Sequence, residues 1–525
     1  MTRTPHVPVA KRGQVSTLTR HALMSAFTHL PLGQCIPDSP HAVSCSLPTM
    51  RAVRGYEEKD PAIMGQLTSG YPRFVVHPFS RQLAAHLSAT LPALAGRTLW
   101  LTSSARMADA LATILQPATP ATATFSHDGL HGAAHAESSD ASARAKTFLQ
   151  NVGGFLSSRE AEDHLVRIGL TPAPYPENQF IGDSATEVRR LLHEALPGTV
   201  DADLILTNCG MNAVYGAFRA SADLQANRGR TVWIQLGWLY LDTIAILKRF
   251  TRDPSDYVYV RDPLNYETIE RIFAKHGSRI AGVLAELPTN PLIQTPDIAK
   301  LCALCRAHGA HLLIDSSVAS PFNVTVLHHC DVLVGSLTKY CASEGDIIAG
   351  VVAINPAGPD ATELRARATA SIEPLYSRDL ARLALQIGKT YAVIDRINEN
   401  TGRVAAFLES HPKVRQVFWA LQSDSRDNYQ KIARTPQSTG GMISFTLRIP
   451  LDPFYDRLRL PKGPSFGMTT TLICPFMYLA HYNLVTTPAG IAELAASGLD
   501  PDLLRLCCGT EPAGEIIAAL EEALG

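Results

Sequence analysis

The chain has 525 residues, enough for about three domain-sized units. Its 46% hydrophobic and 18% charged residues exclude a mostly disordered protein. Lys plus Arg (47) balances Asp plus Glu (48), so no broad basic field exists to hold a phosphate backbone, and no nucleic-acid partner is expected. Ten cysteines are too sparse for a disulfide scaffold. Cys302, Cys305, Cys507 and Cys508 fall in apolar stretches, which suits a reducing compartment and a cytoplasmic location. No run of 18 apolar residues occurs, so no membrane span is expected. The first 30 residues lack acidic side chains and carry Arg3, Lys11, Arg12 and Arg20. A transit peptide and a plain extension both fit them; the extension is favoured, because there is no apolar signal core.

In chain order, residues 1–60 read as an N-terminal extension, poorly specified to about residue 31. Residues 61–360 read as a large α/β domain with a mainly parallel sheet flanked by helices. Within it, residues 117–147 are rich in Ala, Thr, Ser and His and show no core-forming period. They are expected to form a loose surface insertion reaching to about residue 178. Short continuous apolar runs then mark buried parallel strands at Leu204 to Thr207, Thr231 to Leu236, Ile280 to Leu287, His311 to Asp315 and Asp331 to Gly335. A helix from Asp297 to His308 is expected to end at Gly309. After the Asn355–Asp360 loop, residues 361–525 read as a smaller α+β C-terminal domain. It would carry helices at Ala381 to Asn398 and Glu515 to Leu524.

Two predicted strands end on residues with chemistry, Asp315 and Ser336-Leu337-Thr338-Lys339. Ligands of open α/β sheets sit beyond the carboxyl ends of strands, so both ends can meet one ligand. A carboxylate, an amine and two hydroxyls together suit pyridoxal phosphate (PLP). Lys339 would form the Schiff base, Asp315 would hold the ring nitrogen protonated, and Ser336 and Thr338 could bond the phosphate. Spacing alone equally fits a surface lysine and a capping aspartate. Thr207-Asn208-Cys209-Gly210-Met211-Asn212 links a strand to a helix, where backbone N–H groups can bind phosphate. Tyr240, just past a strand end, could stack on a flat ring or lie in the core. Arg505, inside an apolar strand, needs a partner: a substrate carboxylate or a structural ion pair.

These pieces fall in the order of the Cys/Met-metabolism PLP enzymes, which the chain resembles from about 200 to 520. The matching segments are Ala285-Glu286-Leu287-Pro288-Thr289-Asn290-Pro291, Asp315 to Pro321, Ser336 to Tyr340 with Ile348-Ala349-Gly350, and Leu504 to Glu511. Pro40 to Thr49, Ser69 to Phe74 and Gly153 to Glu160 resemble the long fungal-type cystathionine γ-synthases of that family. The resemblance implies a fold-type I PLP-dependent transferase. It implies Lys339 as catalytic proton shuttle and Tyr240 as ring-stacking residue. Asp315 would meet the ring nitrogen, Asn290 the ring hydroxyl, and Gly210, Met211, Ser336 and Thr338 the phosphate. Arg505 would clamp the substrate carboxylate, and Tyr71 and Arg73 would reach a neighbouring subunit's phosphate. It implies amino-acid substrates and a homodimer or homotetramer with shared active sites. The reaction implied is γ-replacement: O-acyl-L-homoserine plus L-cysteine giving L-cystathionine and a carboxylic acid. A γ-lyase acting on cystathionine or methionine, γ-replacement with sulfide or a carbon nucleophile, and a non-catalytic relative are the alternatives.

Some positions depart from the family pattern. Leu241-Asp242 stands where Gly-Gly is usual, and Cys341 to Glu344 replaces a Gly-rich loop. Asn178-Gln179-Phe180 competes with Tyr71 and Arg73 for the phosphate-reaching place and lacks an arginine. No metal is expected: His127, His131 and His135 recur every four residues, but Gly129 and Gly132 weaken any helix there. Cys302 and Cys305 read as a buried helical face, His308 and His311 as solvent-exposed, and Arg457, Arg459 and Lys462 as a solvated loop.

Overall fold

The computed structural model describes residues 27–67, 75–119 and 121–525. At its centre, seven strands run in the order Leu204–Thr207, Gly350–Ile354, Val332–Ser336, His311–Asp315, Ile280–Glu286, Val232–Leu236, Tyr257–Val260. All are parallel except Gly350–Ile354, which pairs antiparallel with both neighbours. The five strands expected from apolar runs are all present. The two strands not expected from the sequence are the edge strand Tyr257–Val260, which is mostly half-buried, and the fully buried Gly350–Ile354. Helices cover both faces. One face packs around Phe273, Leu301 and Leu312. The other packs around Phe218, Trp233 and Leu313, with the Phe218 and Trp233 ring centroids 4.8 Å apart. Each fully buried Leu or Ile contributes roughly 2 kcal/mol, so these central strands fix the layer.

The Ile298–His308 helix starts on Asp297, whose side chain accepts from Lys300 N, and ends at Gly309 with φ +63°. Cys302 and Cys305 lie on its buried face. His311 differs from expectation. Its ring is buried, with Nδ1 2.6 Å from Ser221 Oγ and Nε2 2.8 Å from Asp360 Oδ2. Two polar partners make that burial tolerable.

The C-terminal sheet is antiparallel, in the order Val414–Trp419, Met442–Leu447, Leu504–Cys507, Leu472–Pro475. Its core takes in Leu47, Met50, Val53 and Tyr56, so the described part of the N-terminal extension packs there. The single helix expected from Ala381 to Asn398 is two, Ser377–Ile387 and Thr390–Ser410. Lys462 is also a correction. It is buried beside the same core, its Nζ donating to Pro48 O at 2.7 Å and lying 4.8 Å from the Tyr455 ring centroid. Burial holds its amine down at about 8.

The stretch expected to be loose is ordered. Thr98–Thr102, Leu130–His135 and Ala123–His127 form a three-stranded antiparallel sheet, with Leu130–His135 in the middle. Helices Ala105–Leu115 and Ser139–Val152 pack on it. The hairpin turns at Asp128 and Gly129, both with positive φ, a combination that favours tight two-residue turns. Gly132 lies against Trp100 O and the Phe125 ring, where a side chain would collide. His127, His131 and His135 therefore sit on strands. Among the described residues, no group of three His, Cys, Asp or Glu side chains is placed to hold a metal. Among them, too, no helix is long and apolar enough to cross a membrane.

Candidate active site

The carboxyl ends of the central strands and one edge of the C-terminal sheet line one cleft. Asp315 ends its strand and pairs in register with Glu286, the last residue of the neighbouring strand. Asp315 Oδ1 accepts from Ser317 N at 2.8 Å, and Ser317 Oγ accepts from Ser336 N at 2.7 Å. Burial pushes the Asp315 carboxyl above its ordinary value; the Ser317 hydrogen bonds oppose this. Burial first, then the Asp315 charge, pushes Glu286 well up. Glu286 Oε1 accepts from Tyr240 N at 2.5 Å, while its Oε2 has no hydrogen-bond partner among the described residues.

Lys339 is 7% exposed, and its Nζ donates to Ser465 Oγ at 2.6 Å. Ser465 stands at φ +84°, a strained conformation for a non-glycine residue. Its carbonyl accepts from Arg505 Nη2 at 3.3 Å. Arg505 Nη1 donates to Asn290 Oδ1 at 3.4 Å, and the guanidinium lies 4.7 Å from the Phe476 ring centroid. Arg505 forms no salt bridge among the described residues. The structural ion pair left open by the sequence is therefore not formed there.

Opposite, the Gly210–Ala226 helix starts beside the Val332–Ser336 strand. Cys209 caps it, its Sγ accepting from Asn212 N at 3.3 Å. A Cβ on Gly210 would meet Ser336 Cβ at 2.8 Å, so only glycine lets helix start and strand end approach this closely. Met211 lines the same wall, and Tyr240 precedes the Leu241–Phe250 helix that closes the cleft.

Thus Lys339, Tyr240, Gly210, Met211, Asn290, Asp315, Ser336 and Arg505 meet in one cleft. Thr338 does not line it. Its Oγ1 accepts from Ala349 N at 3.0 Å and lies 3.3 Å from Ala349 O, because the side chain turns toward the Lys339 loop's own backbone. Tyr71 and Arg73 lie outside the described residues. The competing segment is tied elsewhere: Asn178 O accepts from Arg382 Nη1 at 2.9 Å, and Phe180 N donates to Ala381 O at 3.1 Å. Sequence reasoning missed Ser465, Phe466 and Phe476. The one local signal was Pro464-Ser465-Phe466-Gly467, a turn between apolar runs.

The donor set fits PLP on structural grounds. Asp315 is a buried carboxylate without an ion pair among the described residues, which a protonated ring nitrogen would complement. The helix start at Gly210, with Ser336 against it, suits a phosphate. Lys339 supplies an amine within the same cleft.

Residues 190–525 match the family described as Cys/Met metabolism PLP-dependent enzyme. The L-2-amino-4-chloropent-4-enoate dechlorinase/desaturase of Streptantibioticus cattleyicolor is 39% identical over 480 residues, 91% of this chain and 94% of its own. A cystathionine gamma-synthase of Neurospora crassa is 25% identical over 623 residues, 94% of this chain and 98% of its own. The solved cystathionine gamma synthase of Xanthomonas oryzae pv. oryzae, in complex with aminoacrylate and cysteine, has a TM-score of 0.54 at 22% identity, covering 65% of this chain and 86% of that chain. That likeness is one of fold.

Proposed function

The chain belongs to the Cys/Met metabolism family of PLP-dependent enzymes, and from that premise we propose that it eliminates a leaving group from Cγ of one L-2-amino acid, a C4 chloride being the first candidate. When bound, PLP supplies the electron sink that Cα and Cβ deprotonation requires. Asp315 would keep the ring nitrogen charged, the Gly210 helix start and Ser336 would hold the phosphate, and Tyr240 would flank the ring. Arg505 would bind the substrate carboxylate bidentately and fix Cα near Lys339. Lys339, hydrogen-bonded to Ser465, would take the Cα proton and then serve Cβ. Chloride would leave with its bonding electrons, and the proton lost from carbon would pass to Lys339. The net change is loss of HCl, leaving the product one step more unsaturated.

The observation that carries this reading is the charge inventory of the cleft. Among the described residues lining it, the cations are Lys339 and Arg505. With Lys339 committed to proton transfer, Arg505 is the guanidinium that these described residues offer to an amino-acid carboxylate. Leu241, Phe466, Phe476 and Leu479 supply apolar wall for a short hydrocarbon side chain. The 39% identity to a protein named for acting on a single chlorinated amino acid supports the same choice.

The second reading is γ-replacement, O-acyl-L-homoserine plus L-cysteine giving L-cystathionine. The near full-length likeness to the Neurospora cystathionine gamma-synthase favours it. Mass spectrometry on PLP-loaded enzyme separates the readings. L-2-amino-4-chloropent-4-enoate, O-succinylhomoserine and O-acetylhomoserine are each supplied with and without cysteine. Chloride release without cysteine is expected. Cystathionine formed only with cysteine would replace elimination by the second reading, and 2-oxobutanoate with ammonia would move the enzyme to the γ-lyases.

A further inference from the structure

We propose that the last turn of the Ser139–Val152 helix is a bracket that sets the spacing between two walls of the cofactor site, with Asn151 as its positioning residue. The inference rests on the PLP reading above, and not on which substrate is turned over. The helix lies before residue 190, outside the segment matched to the family.

One arm of the bracket holds the Tyr240 wall. Asn151 Nδ2 and Gln150 Nε2 both donate to Asp242 Oδ1, at 2.9 and 3.0 Å. Asp242 is 1% exposed and Asn151 4% exposed, so solvent cannot replace a lost bond. Asp242 is the second residue of the Leu241–Phe250 helix, two residues past Tyr240. Its carboxylate at a helix start is held by the helix dipole and the two amides. Tyr240 N is fixed from the sheet side by Glu286, and the bracket adds a constraint through Asp242.

The other arm holds the phosphate-facing turn. Asn208 Nδ2 donates to Gly153 O at 2.8 Å and Asn212 Nδ2 to Val152 O at 3.0 Å. These asparagines flank Gly210 and Met211. Gly153 has φ +70°, and a Cβ there would run into Cys209 Sγ. The helix end therefore packs directly against the capping residue of the turn. Residues 150–153 thus tie together two elements that touch opposite parts of one cofactor. A shift of this short segment would move the ring wall against the phosphate wall.

The test uses the full chain, freed of cofactor and titrated with PLP. Visible circular dichroism of the bound cofactor reports its orientation, and urea unfolding of the cofactor-free protein reports stability. Asn151→Asp sets two carboxylates against each other, and the PLP Kd is expected to rise roughly tenfold or more, with a weakened visible dichroism at saturation. Gln150→Ala, at a less buried position, is expected to raise Kd about threefold. The exchange Asn151→Asp/Asp242→Asn reverses donor and acceptor and is expected to restore both readouts to near wild type. Wild-type Kd and dichroism in Asn151→Asp and Gln150→Ala would overturn the proposal. So would a loss of stability with wild-type dichroism at saturation, which marks a merely structural contact. If Asn151→Asp does not fold, Gln150→Ala and the exchange variant decide by the same criteria. Failure of the PLP reading is distinct: wild type itself would then show no cofactor band.

Discussion

The carboxyl ends of the central strands line the cleft, whereas the unit built on the N-terminal three-stranded sheet only braces the elements that line it. At the strand ends, Asp315 and Lys339 place a carboxylate and an amine in the cleft, and the apolar runs before them make that placement a consequence of core burial. In the N-terminal sheet, Ala, Thr, Ser and Gly bury little area each, and the structure depends on what packs against them. Its contribution to the site is made through amides and carbonyls at residues 150–153, none of which has a chemical role. Reactive groups announce themselves in a sequence; the groups that space them do not.

Four variants would break or sharpen this contrast. The largest effect is expected from Lys339→Ala. Turnover should fall by roughly 10²–10⁴-fold or more, and borohydride should fix no cofactor at position 339 by peptide mass. Activity near wild type would sink the assignment. Arg505→Lys keeps the charge and loses the fork, so kcat/KM should fall roughly 10- to 100-fold while the cofactor spectrum stays unchanged. On the other side of the comparison, Gly153→Ala should cost about 2 kcal/mol in urea unfolding through its positive φ and the clash with Cys209. It should weaken PLP binding without touching a reacting atom, where Arg505→Lys does the reverse. A stable Gly153→Ala protein with wild-type cofactor affinity would erase the distinction.

The smallest effect lies at the far end of the Asp315 strand. There Arg228 first, then His311, hold the Asp360 carboxyl down at about 2 against the opposing effect of burial. A carboxyl depressed in the fold stabilises it above the unfolded value of about 3.9 and loses that contribution as pH falls toward 2. Asp360→Asn should flatten the stability decline between pH 4 and 2 by on the order of 1 kcal/mol, read as chemical-denaturation midpoints across that window. An unchanged acid limb would mean that Asp360 is not held as described.

Legibility followed the size of the local signal. Five of seven central strands were readable because continuous Val, Leu and Ile runs have no stable alternative to burial. Tyr257–Val260 is a four-residue, half-buried edge strand, and Gly350–Ile354, though a continuous apolar run, follows directly on the lysine motif and did not stand out as a strand. The hairpin from Ala123 to His135 did carry a cue, Asp128-Gly129, but its small residues hid the strand period. Lys462 and His311 were read as solvated because a lone polar residue in a loop or at a strand start usually is. Their burial depends on Pro48, Ser221 and Asp360, each distant in sequence.

The sequence by itself determined the doubly covered central sheet, the strand ends carrying Asp315 and Lys339, and the carboxylate-clamping candidate Arg505. These follow from local hydrophobic patterning and from residue types with few other uses. Only the tertiary structure decided that Ser465 bridges Lys339 to Arg505, that Thr338 turns away to Ala349, and that Asn151 reaches Asp242. Those contacts join residues that are separate in the chain. A hydrogen bond's worth depends on burial and on a partner within about 3 Å, and neither is encoded at one position.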